Sequence, residues 1–194
     1  MLRKKISFDC DGVIAAGGYM PVEDRTNRNY AKKPPLNEEV LPSLHWLSTM
    51  YDIYVISTRG HENANLGLRG WLHWKLGLEL DTIAGVITYP HVAGENLTNN
   101  PDAPMDKAQI VQDLGIVVHF DDDPRHILAL PGIGVLVPSD IPASIAAANQ
   151  FPTAPDWETI RAFLTTPGME LHGGGVTILS PAVEMKVYPT VAVQ

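Results

Sequence analysis

The sequence predicts an α/β protein built on a central parallel sheet. Three observations predict it. Short apolar runs rich in β-branched residues alternate with amphipathic stretches. The alternation continues along most of the chain, as it does where helices cross over between parallel strands. Polar clusters directly follow three of the apolar runs, at the end of a strand where open α/β sheets bind ligands.

The elements follow in order. Lys5 to Phe8 reads as a first strand and ends at an acidic cluster. Residues 17–35 are rich in Gly, Pro, Asn and charge, and read as a loop or small insert. Asn37 is placed to cap a helix carrying Val40, Leu41, Leu44 and Leu47 at helical spacing. Asp52 to Ile56 is a second strand. His61 to Leu76 reads as a helix with Leu68, Trp71, Leu72 and Lys75 on one face; Trp71 and Trp74 read as packing residues. Ile83 to Thr88 is a third strand, followed by a polar loop from Pro90 to Pro104 and a short helix from Asp106 to Leu114. Val117 to Phe120 is a fourth strand and Gly134 to Val137 a fifth, with no helix read between them. Trp157 to Leu164 is a late helix. The chain thus divides into a main domain, 1–166, with an insert at 15–35, and a tail, 167–194. In the tail, Met169 to Leu171, Val176 to Leu179 and Val183 to Tyr188 suggest a β-hairpin-like appendage around the glycine run 173–175.

With 194 residues and 45% apolar composition, one domain with a full core is expected. The net charge of −8 argues against tight nonspecific binding to nucleic acid and suits a carboxylate metal site. Cys10 is the single cysteine, so no intrachain disulfide can form; this fits a reducing compartment, and the cytoplasm is the expected location. The N-terminal basic residues and apolar stretch resemble a leader, but Asp9 and Asp11 interrupt it. No apolar run reaches the length of a membrane span.

Four short motifs carry candidate chemistry. In Phe8–Ile14, FDCDGVI, strand alternation sends Asp9 and Cys10 to opposite sides. Asp9 and Asp11 repel when both are ionised, and a cation or a retained proton relieves this. A tight turn at Gly12 would let backbone N–H groups approach an anion. The same residues also fit a plain turn. In Val55–Gly60, VISTRG, a hydroxyl follows a strand and could donate to a phosphoryl oxygen or cap a helix, and Arg59 could pair with a phosphate or a surface acid. Lys107, near a helix start, is mildly unfavourable for the helix dipole, which suits a charge-neutralising role. In Val117–Pro124, VVHFDDDP, three aspartates follow a buried strand and need a cation or other donors. His61, His73, His91, His119, His126 and His172 lack metal-ligand spacing and read as structural.

In this order, the four motifs resemble the signature of the haloacid dehalogenase superfamily of phosphohydrolases. The resemblance spans Lys5 to Pro138 and leaves out the tail. It implies a Rossmann-like three-layer sandwich. It also implies a Mg²⁺-dependent phosphomonoesterase that works through an aspartyl-phosphate intermediate. Asp9 would be the nucleophile and Asp11 the general acid and base. Ser57 would be the second-motif hydroxyl, with Thr58 the shifted alternative, and Lys107 the third-motif lysine. Mg²⁺ would be held by Asp9, the Asp11 backbone carbonyl, and Asp121 or Asp122, with Asp122 the first choice for direct contact and Asp123 an alternative. Gly12, Thr58 and Arg59 would touch substrate. Asp11 favours phosphate chemistry over carbon–halogen cleavage, where members typically lack that acid. The insert is too short for a helical cap, so the resemblance is to a minimally capped member. Such members act on large substrates or are closed by a partner subunit, and a homodimer through the tail would supply the cap. Ser57 and Arg59 are similar to the pair in the phosphatase half of phage polynucleotide kinases, and the first motif also occurs in nucleotidases. The expected partner is therefore a small phosphorylated substrate, a nucleotide, or a nucleic-acid 3′-phosphate end. A noncatalytic module on this fold, or a phosphotransferase, is the alternative.

Overall fold

The computed structural model describes residues 3–16, 34–58, 64–79, 81–88, 103–131, 133–139, 142–148, 150–166, 169–172 and 175–178. Strands β1 (Lys4–Phe8), β2 (Tyr51–Ser57), β3 (Gly85–Thr88), β4 (Ile116–Asp121) and β5 (Gly134–Leu136) form one sheet in the order β3-β2-β1-β4-β5. All its pairings are parallel. Helices α1 (Val40–Ser48), α2 (Ala64–Gly70), α3 (Ala103–Asp113), α4 (Pro124–Leu128), α5 (Pro142–Ala147) and α6 (Trp157–Thr165) supply the crossovers and outer layers. Strands β6 (Met169–His172) and β7 (Gly175–Ile178) make a separate antiparallel hairpin. The expected third tail segment, Val183 to Tyr188, lies outside the described residues, as does the insert at 17–33. The insert's two ends meet where Ala15 bridges Pro35.

Alternation along each strand sorts the side chains onto two faces. Ile6, Phe8, Ile53, Val55, Val118 and Phe120 pack with Leu44 and Leu47 of α1, with Leu68, Trp71 and Leu72, and with Trp157, Ile160 and Phe163 of α6. Ile56 and Ile116 pack on the other face with Ala108 and Val111 of α3 and with Leu130 and Ile133. Ile127 of α4 meets Leu136 and Ala147 of α5. The result is the expected three layers.

One irregularity controls the layout. Lys5 pairs with Ile116, but Ile6 pairs with Val118, so β4 carries one extra residue at Val117. Past this bulge, Ser7 lies opposite His119 and Phe8 opposite Phe120. Without it the two strands would be out of phase, and the apolar face of β1 would meet the polar face of β4. The Asp9 amide then donates to the Phe120 carbonyl (2.8 Å), extending the ladder to the level of Asp121.

The structure corrects several local expectations. Asn37 does not cap α1. Its Oδ1 accepts the Glu39 amide (3.0 Å) in an Asx turn that directly precedes the helix. A helix does separate β4 and β5, as a parallel pair requires. Asp123 caps it and Pro124 opens it, both ordinary helix-start residues. Among the described residues of the helix expected from His61 to Leu76, Ala64–Gly70 are α-helical and Trp71–Lys75 form a π-helical turn. Lys75 is exposed, away from the buried face of Trp71 and Leu72, and Trp74 is also exposed rather than packed. α3 starts at Ala103, three residues before the expected start. Among the described residues, no helix is long and apolar enough to cross a membrane.

Trp157 joins the first motif loop to the core. It is fully buried, its Nε1 donates to the Val13 carbonyl (3.0 Å), and its ring centroid lies 5.1 Å from that of Phe8. Trp157→Ala should lower the unfolding free energy in urea by about 3–5 kcal/mol. Trp157→Phe should cost less, about 1–3 kcal/mol, mostly for the unpaired carbonyl. A loss below about 1 kcal/mol for the alanine variant would show that this packing is dispensable.

Candidate active site

The site forms where β1 and β4 end side by side. Asp9 follows β1, and Asp121 is the last residue of β4. Both are buried. Cys10 points the opposite way, into the apolar core, as the alternation predicts. Ser57 is buried at the end of β2, two residues beyond Val55, the partner of Phe8. Thr58 follows it and is half-buried. Arg59 lies outside the described residues.

Lys107 reaches this point from α3 with no exposed surface. Its Nζ lies 2.8 Å from Asp9 Oδ1 and 2.5 Å from Asp121 Oδ2. Desolvation makes an unpaired ammonium there prohibitively costly, and two carboxylates compensate it. Asp122 comes next in the chain and is also buried, hydrogen-bonded by the Ser139 side chain. Asp11 is half-buried close by, and its charge acts on Asp9. Asp123, the third acid of the run, is occupied elsewhere. It accepts the Arg125 amide as the cap of α4 and pairs with the Arg125 side chain (2.6 Å).

The electrostatics separate the three buried acids. Burial, with smaller contributions from Asp121 and Asp11, pushes Asp9 up to about 6 despite Lys107. Burial and the charges of Asp121 and Asp9 push Asp122 up to about 8. Burial would raise Asp121 too, but His126, Lys107 and hydrogen bonds from His119 and His126 overcome it and hold its carboxyl well below the usual range. Asp9, Asp121 and Asp122 each place a carboxylate oxygen within 4.8 Å of the others. Three carboxylates and one ammonium leave two uncompensated negative charges when all are ionised. A divalent cation that takes oxygen ligands fits this donor set.

Gly12 forms the expected tight turn and has a second effect on the site. Its amide donates to the Ala15 carbonyl (3.0 Å) within the turn. Its φ is +80°, and a Cβ there would stand 2.2 Å from Asp122 Oδ2. The glycine makes room for that carboxylate.

Four residues here were not read as site residues in the sequence: Ser7, His119, His126 and Ser139. His119 is fully buried between Ser7 Oγ (2.7 Å, to Nδ1) and Asp121 (3.0 Å, to Nε2). His126 is buried with its Nδ1 2.9 Å from Asp121. Both were expected to be ordinary structural histidines. The available signal was their position: His119 precedes Asp121 by two on the same strand face, and His126 sits in the first turn of the helix capped by Asp123. His61 and His91 lie outside the described residues.

No family model matches the chain, and no curated protein does. Solved structures are similar. A D,D-heptose 1.7-bisphosphate phosphatase from B. bronchiseptica, in complex with magnesium and phosphate, superposes with a TM-score of 0.57 at 13% identity, covering 83% of this chain and 97% of that one. A haloacid dehalogenase-like family hydrolase from Streptococcus pneumoniae gives 0.56 at 12% identity, covering 84% and 99%. The chain therefore has the haloacid dehalogenase-like fold, as the four motifs implied.

Two outcomes follow from this geometry. Folded Asp9 and Asp122 hold protons that the unfolded chain releases near 3.8, so metal-free stability falls as pH rises through about 6 and then about 8. Asp121 has the opposite sign, and its contribution is lost only in acid. The metal-free melting temperature should drop from about pH 5 to about pH 8.5, and Mg²⁺ should raise it more at the higher pH. A melting temperature unaffected by Mg²⁺ at either pH would count against a cation site. Gly12→Ala should displace Asp122 and weaken Mg²⁺ binding, measured calorimetrically, by at least about 10-fold. Unchanged binding would show that Asp122 is not a ligand.

Proposed function

We propose that this protein is a Mg²⁺-dependent phosphomonoester hydrolase acting through an aspartyl-phosphate on Asp9. The observation that carries the reading is the fully buried Lys107 ammonium joining Asp9 to Asp121 at two adjacent strand ends, with Asp122 beside them. The magnesium and phosphate in the structurally similar heptose bisphosphate phosphatase support it.

Asp9 and Asp122 carboxylates, with the Asp11 backbone carbonyl and Asp121 adjoining, would hold the ion. Bound Mg²⁺ would reduce repulsion between carboxylate nucleophile and phosphate, and favour the ionised forms of Asp9 and Asp122. In the first step an Asp9 carboxylate oxygen attacks phosphorus, and the bond from phosphorus to the ester oxygen breaks. Asp11 gives its proton to the leaving alkoxide. In the second step water attacks the phosphorus of the aspartyl phosphate, Asp11 takes the water proton, and inorganic phosphate leaves with the Asp9 carboxylate restored. Lys107 offsets charge on the phosphoryl oxygens and Asp9 throughout. Ser57, with Thr58 and Arg59 beside it, would bind the phosphoryl group.

The substrate we favour is a nucleotide or a nucleic-acid 3′-phosphate end, supported by the Ser57 and Arg59 spacing and by the short insert. Cytoplasmic location agrees with the single cysteine, buried in the core.

Asp9→Asn should reduce Mg²⁺-dependent phosphate release by at least about 10³-fold, because the amide is a far poorer nucleophile. Asp11→Asn should retain substrate binding and lose turnover. Both are measured on mononucleotides, sugar phosphates and 3′-phosphorylated oligonucleotides, with and without acceptor alcohols. Wild-type rates from Asp9→Asn would refute the covalent route, and phosphate passing preferentially to the alcohol would make the protein a phosphotransferase.

A further inference from the structure

We propose that His119 and His126, with Ser7 behind His119, are positioning residues that lock the Asp121 carboxylate so that it holds the Lys107 ammonium against Asp9. The kinetic consequence rests on the phosphohydrolase reading. The protonation pattern rests on geometry alone.

Asp121 is surrounded by donors. Its Oδ2 faces Lys107 Nζ at 2.5 Å, His126 Nδ1 at 2.9 Å and His119 Nε2 at 3.0 Å. Its Oδ1 accepts the Asp123 amide at 2.9 Å. An ionised carboxylate only accepts, and it offers about four lone-pair sites. Four N–H donors meet it, three at Oδ2 and one at Oδ1. Asp121 is therefore held chiefly through Oδ2 by the protein around it, whereas Asp9 and Asp122 are the acids whose burial is less fully compensated. The two imidazoles aim at this one carboxylate rather than at a shared point where a metal could sit.

Because the carboxylate cannot donate, each ring nitrogen facing it carries the hydrogen. His119 is thus protonated on Nε2. With the hydrogen on Nε2, its Nδ1, 2.7 Å from Ser7 Oγ, is the nitrogen left to accept from the serine hydroxyl. The chain of bonds runs from the Ser7 hydroxyl through His119 to Asp121 and on to Lys107 and Asp9. The β4 bulge sets Ser7 opposite His119 and so makes this chain possible. His126 closes the other side from α4. A carboxylate gripped in this way cannot swing, and the ammonium it holds stays fixed at the nucleophile.

The test combines three readouts. Long-range proton–nitrogen NMR of the ¹⁵N-labelled protein reports the imidazole protons; His119 on Nε2 and a proton on His126 Nδ1 are expected, and His119 on Nδ1 overturns the proposal. His119→Leu and His126→Leu should lower kcat by about 10–100-fold with KM changed less than about threefold. His119→Gln and His126→Asn, which return a donor near the lost nitrogen, should recover most of that loss. Mn²⁺ affinity by electron paramagnetic resonance should change less than about threefold in the four histidine variants and be lost in Asp122→Asn. Unchanged kcat, no rescue, or a parallel fall in Mn²⁺ affinity would each overturn the proposal. If the leucine variants fail to fold, Ser7→Ala decides: it should alter the His119 nitrogen signature and lower kcat a few-fold, and a wild-type signature overturns the proposal. A wild-type protein without any phosphatase turnover would remove the hydrolase reading alone, leaving the protonation pattern and Mn²⁺ affinities to decide the positioning role.

Discussion

An ammonium ion with no exposed surface must be met by negative charge, and the arrangement around Lys107 follows from that requirement. Its partners, Asp9 and Asp121, come from the ends of two different strands. Those strands must be adjacent, parallel and correctly registered for the charges to meet. Their burial in turn raises the cost of the remaining acid, Asp122, whose carboxyl is pushed up to about 8. The excess negative charge is what makes the pocket receptive to a divalent cation. Stability and chemistry are coupled here: the groups that would bind a cation are those that strain the metal-free protein.

The sheet solves the register problem with one extra residue. The bulge at Val117 brings the polar face of β4 into phase with that of β1. Ser7, Asp9, His119 and Asp121 then share one side, while Phe8 and Phe120 stack on the other with ring centroids 5.0 Å apart. A single alternation thus builds both the core and the site. Trp157 links the two by holding the Val13 carbonyl, in the loop that carries Asp11 and Gly12.

Much of the candidate site was legible because its residues end apolar runs. Asp9, Ser57 and the acids at 121–123 were readable from that position, and Lys107 from its unfavourable place near a helix start. His119 and His126 were not, since they were weighed only for metal-ligand spacing and not for their nearness to Asp121, two residues from His119 and five from His126. Gly12 was read as a tight turn, but the space it leaves for Asp122 could not be read, because Asp122 lies far along the chain. The fourth helix was missed although Asp123 and Pro124 are ordinary helix-start residues, because the aspartate was weighed as a ligand instead.

Local patterning by itself determined the α/β class, the order of the five strands along the chain and the polar groups at their ends, because strand alternation and helical spacing are properties of neighbouring residues. Only the tertiary structure decided which acids share a charge, which one caps a helix, and that two histidines and a serine secure Asp121. Those choices depend on strand register and on distances between residues as far apart as Ser7 and His119. A bulge of one residue sets them, and nothing in the local pattern at Val117 announces it.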